Sequence, residues 1–176
     1  MIRAARESDL ERLRDIERAA GSLFLELDMR SVAEDEPPTI GELSAFQRAG
    51  RAWVATEGDH PVGYLLLSIV DGDAHVEQVS VHPAWSGRGL GGALVDTAAT
   101  WAVRLGMHAM TLTTFRDVPW NAPYYERLGF RVIGESEWGP QLRHLREEEV
   151  DRGLDRWRRV AMRRSLGSAS GASPEQ

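Results

Sequence analysis

The chain has 176 residues, a formal net charge of −6 and no cysteine. Its hydrophobic fraction of 42% and charged fraction of 27% are ordinary for a globular protein of one domain. The lack of cysteine excludes disulfides, thiolate metal sites and a covalent thioester on the protein, while the acidic balance argues against a nucleic-acid partner and favours a cationic ligand.

The amino terminus and the overall hydropathy give no sign of a membrane or secretory segment. The first residues, MIRAARESDLERLRDIE, are charged from the third position onward, and no apolar run approaches the roughly 20 residues of a transmembrane helix. We therefore expect a cytoplasmic protein without a membrane partner.

Hydrophobic periodicity predicts an alternation of helices and short strands along the chain. Apolar residues at helical spacing define a first amphipathic helix, whose inner face comprises Leu10, Leu13, Ile16 and Ala20. An irregular segment follows, from Gly21 to Pro38. Apolar runs between turn signals predict the strands, which are residues 2–5, 52–56, 62–70, 75–82, 109–115, 130–135 and 158–164.

The order of these elements predicts a mixed sheet. Consecutive hairpins in the middle of the chain favour antiparallel pairing, whereas the helix between strands 75–82 and 109–115 predicts one parallel pair, because parallel neighbours need a crossover connection. The expected fold class is α/β, in the α+β mixed-sheet sense: a mostly antiparallel sheet of six to seven strands with one parallel pair and helices on both faces. Arginines alternate with Val160 and Met162 near the end, which predicts an edge strand protected by charge.

The turn after strand 75–82 contains four glycines and an arginine within Gly87–Gly92. A helix N-terminus behind such a turn presents free backbone N–H groups and a partial positive charge, which suits a phosphate. The pattern G-x-G-x-x-G is also that of dinucleotide-binding loops, but these need an acidic residue about 20 positions later. About 20 residues beyond Gly92 the chain instead reads MTLTT, and the next acidic residue is Asp117. A purely structural tight turn leaves the number of glycines unexplained, because each one costs helix stability.

Two motifs resemble those of a known family. Ser86-Gly87-Arg88-Gly89-Leu90-Gly91 resembles a Q/R-x-x-G-x-G/A loop, with Ser86 in place of the usual Gln or Arg. Asn121-Ala122-Pro123-Tyr124-Tyr125-Glu126-Arg127-Leu128-Gly129-Phe130 resembles a second motif, which ends in Y-x-[KR]-x-G-F. On these motifs and on the order of its elements, the chain is similar to the GNAT superfamily of N-acetyltransferases over residues 1–165.

The resemblance implies a GNAT-like acyl-CoA N-acyltransferase fold with acetyl-CoA as the co-substrate. The backbone of Val79, Ser80 and Val81 would meet the thioester carbonyl. Asn121 would hydrogen-bond the pantetheine arm, with an N-cap as the alternative role. The residues that would bind the pyrophosphate are Ser86, Gly87, Arg88, Gly89, Leu90, Gly91 and Gly92.

The same resemblance implies catalytic roles for two side chains. Tyr125 occupies the family's general-acid position, and a phenol, with a pKa of about 10, holds a proton that it can pass to a departing thiolate. The alternative is a core tyrosine, which is the role we favour for Tyr124. Glu77 lies two residues before the carbonyl-binding stretch, where a carboxylate can take the amine's proton directly or through water. Its alternative is a surface carboxylate on a strand.

The expected function is therefore acetyl-CoA-dependent N-acetylation of a primary amine of a small molecule by direct transfer. The apolar run Leu23–Leu27 predicts a partly closed acceptor pocket. The alternatives are an enzyme for protein N-termini or lysines and a non-catalytic CoA-binding module.

We expect no metal, because the five histidines lack ligand spacing. We expect one N-acetyltransferase domain over residues 1–165 and a disordered tail over residues 166–176. The sequence leaves the identity of the amine and the formation of a homodimer open.

Overall fold

The computed structural model describes residues 1–167, so residues 168–176 of the predicted tail lie outside the described residues. The strands are β1 (Ile2–Ala4), β2 (Ala52–Glu57), β3 (His60–Val70), β4 (Asp73–Val81), β5 (Ala109–Phe115), β6 (Arg131–Ile133) and β7 (Arg159–Ser165). The α-helices are α1 (Leu10–Gly21), α2 (Arg30–Ala33), α3 (Ile40–Arg48), α4 (Leu90–Arg104), α5 (Ala122–Arg127) and α6 (Pro140–Asp151).

Within residues 1–167 the seven strands form one mixed sheet in the order β1-β2-β3-β4-β5-β7-β6. The ladders β1–β2, β2–β3, β5–β7 and β6–β7 are antiparallel. β4 and β5 are parallel and pair through Ala74–Met110 and His75–Thr111, with α4 as the crossover between them. The predicted fold class, a mixed sheet with one parallel pair, is confirmed.

By its internal contacts, the described chain divides into two compact units. The first, here called the N-unit, comprises residues 1–67 and 77–98, and the second, the C-unit, comprises residues 68–76 and the chain from residue 99 onward. The single domain predicted for residues 1–165 stays a prediction. Leu166, at the start of the predicted tail, is buried and donates its N–H to the carbonyl of His108.

The core of the N-unit forms where the apolar face of α1 packs on the sheet. Leu13 and Ile16 of that face are fully buried, and Leu43 of α3 joins them. Helix α3 begins in a capping box, in which Thr39 and Glu42 each donate a backbone N–H to the side chain of the other. The other buried residues of this cluster are Ala5, Leu10, Ala52, Val54, Tyr64 and Leu66.

In the C-unit, β7 lies between β5 and β6, so the predicted edge strand is wrong. Its Arg159 enters a buried ionic cluster instead of solvent. The carboxylate of Glu149, on α6, accepts hydrogen bonds from Arg146 at 2.9 Å, from Arg159 at 2.7 Å and from the hydroxyl of Thr113. Arg146 also binds Asp155 with two parallel bonds of 3.0 Å. Arg159 stacks over a phenylalanine ring of β5, and its burial lowers its pKa.

Asp71, in the turn between β3 and β4, caps the N-terminus of α6. Its two carboxylate oxygens accept the N–H groups of Gln141 at 2.9 Å and Leu142 at 3.0 Å, which are otherwise orphaned donors of the first helical turn. Asp71 has a positive φ of 53°. Gly139 leaves room for this cap, because a Cβ there would lie 2.4 Å from the Asp71 carboxylate.

Asp71→Ala is therefore expected to lower the free energy of unfolding, as measured by urea denaturation. Part of this loss in stability comes from placing an alanine at a positive φ. Asp28→Ala is the control for that part, because Asp28 has a φ of 56° and its carboxylate binds no described residue. We expect Asp71→Ala to cost about 1–2 kcal/mol more than Asp28→Ala. Equal losses in the two variants would show that the cap contributes nothing.

None of the helices that the structure describes is both long enough and apolar enough to cross a membrane.

Candidate functional site

The predicted strand–loop–helix unit is present in the N-unit. After β4 the chain makes a 3₁₀ turn at Pro83–Trp85, passes through the glycine loop and enters α4 at Leu90. Gly87 and Gly89 have φ values of 76° and 74°, in the left-handed region that side chains rarely adopt. A Cβ at either glycine would meet nothing within 4 Å. The backbone of the loop therefore requires glycine and is open to a ligand.

The N-terminus of α4 is suited to an anion. The N–H of Ala93 makes a helical bond to the carbonyl of Gly89 at 3.0 Å, so the N–H groups ahead of it lack an intrahelical acceptor and carry the positive end of the helix dipole. The first turn contains no acidic residue. Arg88 is exposed and forms no hydrogen bond or ion pair within residues 1–167. The loop thus offers backbone donors and one uncommitted guanidinium.

Ser86, which departs from the family pattern, supports the turn. Its hydroxyl donates to the carbonyl of Pro83 at 2.8 Å, and its N–H donates to the same oxygen at 3.2 Å. The side chain is thus committed within the protein, and a contribution of Ser86 to a ligand would come from its neighbouring backbone.

Along β4, the side chains alternate as the strand pattern predicts. Glu77 is exposed, whereas Gln78 and Ser80 lie on the opposite face, where the Gln78 amide donates to the Ser80 hydroxyl at 2.9 Å. Gly63 of β3 allows close approach to this part of β4, because a Cβ there would lie 3.1 Å from the Ser80 carbonyl oxygen. The parallel ladder with β5 ends at His75, and β4 continues to Val81.

Two hydroxyl groups converge on Glu17, a residue of α1 that the sequence reasoning missed. Its Oε2 accepts from the Tyr64 hydroxyl at 2.7 Å and from the Ser80 hydroxyl at 2.6 Å. The Tyr64 side chain is fully buried, and burial, followed by the neighbouring Glu17 charge, raises the pKa of its phenol well above the ordinary value. Glu17, Tyr64, Ser80 and Gln78 form one connected network, which we call the Glu17 network. The sequence does contain one signal for this network: Glu17 lies four residues after Leu13, which places its carboxylate on the apolar face of α1.

The raised pKa of Tyr64 predicts a loss of stability at alkaline pH. Tyrosine in the unfolded chain ionises near pH 10, while buried Tyr64 keeps its proton, so its contribution is complete below about pH 10 and falls above it by about 1.4 kcal/mol per pH unit. The chain contains no lysine and no cysteine, so its three tyrosines are the side chains that titrate in this range. Urea unfolding from pH 8 to 11, at roughly half-unit steps, is expected to show a shallower alkaline decline for Tyr64→Phe than for the wild type. Identical slopes of unfolding free energy against pH in the two proteins would contradict the raised pKa of Tyr64.

In the C-unit, the second motif forms the short helix α5 and the turn after it. Tyr125 is buried, and its ring packs edge-on against Phe130 at 5.9 Å and against Tyr124 at 5.5 Å. Asn121 accepts the Tyr125 N–H on its carbonyl at 3.0 Å, but its side chain makes no capping bond. Because that amide binds no other residue in the described part of the chain, it is available to a ligand.

The structure thus places the loop, the β4 stretch and Glu77 in the N-unit, and Tyr125 and Asn121 in the C-unit. The glycine loop, the β4 stretch and Glu77 lie on the strand–loop–helix unit predicted for them. Among residues 1–167, no group of three or more His, Cys, Asp or Glu side chains is arranged to hold a metal ion.

Comparison with known proteins gives a family match over most of the chain. Residues 10–130 match the model of the acetyltransferase (GNAT) family. A curated relative, the peptidyl-lysine N-acetyltransferase YjaB of Salmonella typhimurium, is 32% identical over 96 residues, which cover 54% of this chain and 60% of that protein. The match therefore spans less than two thirds of that relative's length.

Solved structures share the fold at low identity. Rv2747 from Mycobacterium tuberculosis, solved in complex with CoA, has a TM-score of 0.68 and 22% identity, covering 95% of this chain and 99% of that one. The PaiA N-acetyltransferase of Thermoplasma acidophilum, solved with coenzyme A, has a TM-score of 0.68 and 16% identity, covering 94% and 98% of the two chains.

Proposed function

Because this chain belongs to the acetyltransferase (GNAT) family, we propose that it transfers the acetyl group of acetyl-CoA directly to a primary amine of a small molecule. The observation that carries the proposal is the glycine loop at the N-terminus of α4. The open space beside Gly87 and Gly89 lets a pyrophosphate approach the backbone N–H groups closely. Arg88 adds a charge-assisted hydrogen bond to a phosphate oxygen.

The proposed reaction needs an oxyanion stabiliser, a base and an acid. The neutral amine attacks the thioester carbonyl carbon, so that a C–N bond forms and the C–S bond breaks. Backbone N–H groups of Val79–Val81 stabilise the oxyanion, and Glu77 takes the proton that the amine loses. Tyr125 gives its phenolic proton to the CoA thiolate and regains one from solvent. Direct attack is proposed because the chain has no cysteine to carry the acetyl group.

A protein acceptor is the second candidate, and two observations favour it. The curated relative is named for peptidyl-lysine acetylation. The apolar run that the sequence suggested as a pocket wall forms the 3₁₀ segment Ser22–Leu27, in which Leu25 is 48% exposed and Leu27 is 39% exposed. An exposed apolar segment of this kind suits the contact surface of a peptide better than the wall of a closed pocket.

The two candidates are separated by following CoA release with a thiol reagent. The acceptors are butylamine, an amino sugar, a peptide with one internal lysine and a blocked N-terminus, and a peptide with a free N-terminus and no lysine. The proposal expects release that depends on a small amine. Faster turnover of either peptide supports the second candidate. Binding of acetyl-CoA without release in any mixture would identify a non-catalytic CoA-binding module instead.

A cytoplasmic location belongs to the same proposal, because acetyl-CoA is a metabolite of the cytoplasm.

A further inference from the structure

The Glu17 network fixes one oxygen of a carboxylate and leaves the other uncommitted. Oε2 of Glu17 receives both hydroxyl donors, Tyr64 at 2.7 Å and Ser80 at 2.6 Å. Oε1 has no hydrogen-bond or ion-pair partner among residues 1–167. Glu17 itself is only half-buried, so Oε1 is reachable from solvent. An ionised carboxylate with one fixed and one vacant oxygen is a receptor for a positively charged group.

The network also has a definite direction. The Gln78 amide donates to the Ser80 hydroxyl, which donates to Glu17, and the buried phenol of Tyr64 retains its proton and donates as well. Within the described part of the N-unit, no arginine or other cation bonds to this carboxylate. A clamp that only joined α1 to the sheet would not require a negative charge, since a neutral amide can accept the same two hydrogen bonds.

The position of the network relates it to the proposed reaction. Ser80 is the central residue of the stretch Val79–Val81, to which the proposed function assigns the thioester carbonyl. Glu17 lies one hydrogen bond, 2.6 Å, from the Ser80 side chain. A cation held at Oε1 would therefore lie beside the acyl-binding stretch, within the N-unit. The net charge of −6 favours the same class of ligand.

We propose that Glu17 is a binding residue for the acceptor, whose Oε1 holds a second, non-reacting positive charge of a small amine substrate. The inference rests on the proposed function and adds to it the substrate class, an amine that carries a further cationic group. Tyr64 and Ser80 are positioning residues, which hold the carboxylate in one orientation.

The test compares two acceptors of equal length, diaminobutane and butylamine, which differ in the second ammonium group. The wild type is expected to acetylate diaminobutane with a kcat/KM roughly ten- to a hundredfold above that for butylamine. Glu17→Gln, which keeps the shape of the side chain, is expected to abolish this preference, because it raises KM for diaminobutane much more than KM for butylamine. Glu11→Gln, an exposed charge loss on the same helix, is the matched control and should keep the preference.

Tyr64→Phe provides a second variant, which removes one donor to Oε2 without removing charge. It is expected to raise KM for diaminobutane severalfold, and this result tests the inference even if Glu17→Gln fails to fold. Equal wild-type kinetics for the two acceptors, or an equal loss for both acceptors in Glu17→Gln, would overturn the inference while leaving the proposed function intact. If the wild type binds acetyl-CoA but acetylates neither acceptor nor any member of the panel, the proposed function fails and this inference fails with it.

Discussion

Replacing Tyr125 with phenylalanine is expected to lower kcat for acetyl transfer by about 100- to 10,000-fold, the usual contribution of a positioned general acid. Phenylalanine keeps the ring that packs against Phe130 at 5.9 Å, so the variant loses the phenolic proton and little of the packing. The thiolate of CoA must then leave without a proton from the enzyme. The measurement is steady-state kinetics of CoA release with the best acceptor of the panel, together with the affinity for acetyl-CoA, which should change little.

Tyr124→Phe is the matched control, because the two tyrosines are adjacent on α5. Tyr124 is less buried than Tyr125, and its ring lies under the guanidinium of Arg127 at 5.6 Å. Loss of its hydroxyl is expected to leave kcat within a fewfold of the wild-type value, roughly the range of a surface substitution. An unchanged kcat in Tyr125→Phe, or an equal loss in both variants, would remove the acid role from Tyr125.

Glu149→Gln is expected to lower the free energy of unfolding by about 3–5 kcal/mol, which is the usual cost of breaking a buried ion pair from one side. The side chain of Glu149 is 8% exposed, and those of Arg146 and Arg159 are 8% and 10% exposed. Removal of the central carboxylate charge leaves Arg159 buried without the anion that its guanidinium contacts at 2.7 Å. Urea denaturation at neutral pH measures the loss, and Arg159→Met should recover part of it by removing the stranded cation.

Glu148→Gln is the natural comparison, since it neutralises the preceding residue of the same helix. Glu148 is 62% exposed in its side chain and pairs only with the exposed His144 in the described structure. Such a surface change is expected to stay within about 0.5 kcal/mol. Similar losses of unfolding free energy in the two variants would mean that the buried ion pairs of Glu149 stabilise the protein no more than an exposed pair does.

The contrast between these two glutamates marks the limit of sequence reasoning about this fold. The run Glu147–Glu149 reads as a solvated face of a charged helix, and nothing local distinguishes its last member. Glu149 is buried because Thr113 of β5 and Arg159 of β7 bind it, together with Arg146 of its own helix. The same holds for β7, whose alternating arginines resemble an exposed edge. The position of β7 inside the sheet depends on where β6 pairs, and local pattern does not encode this.

The glycine loop of the candidate site was predictable because it depends only on residues that are close together in the sequence. A strand, a turn that needs positive φ and a helix N-terminus are consecutive in sequence, so the phosphate-binding geometry around Gly87 and Gly89 follows from residues a few positions apart. The tyrosines of α5 are an exception, because the core position expected for Tyr124 is taken by Tyr125, which is buried while Tyr124 is half-buried. The Glu17 network joins residues 47 and 63 positions apart, and only the carboxylate on the apolar face of α1 hinted at it.

The claim that the glycine loop holds acetyl-CoA is tested most directly by calorimetric titration of acetyl-CoA into Gly89→Ala and Gly106→Ala. Gly89 and Gly106 flank the two ends of α4, have φ values of 74° and 78°, and each has open space where a Cβ would stand. Both variants therefore bear the same backbone strain, but only Gly89→Ala places a methyl group between the loop and a pyrophosphate. We expect Gly89→Ala to weaken binding at least tenfold, or about 1.4 kcal/mol, and Gly106→Ala to bind like the wild type. Wild-type affinity in Gly89→Ala would contradict the account.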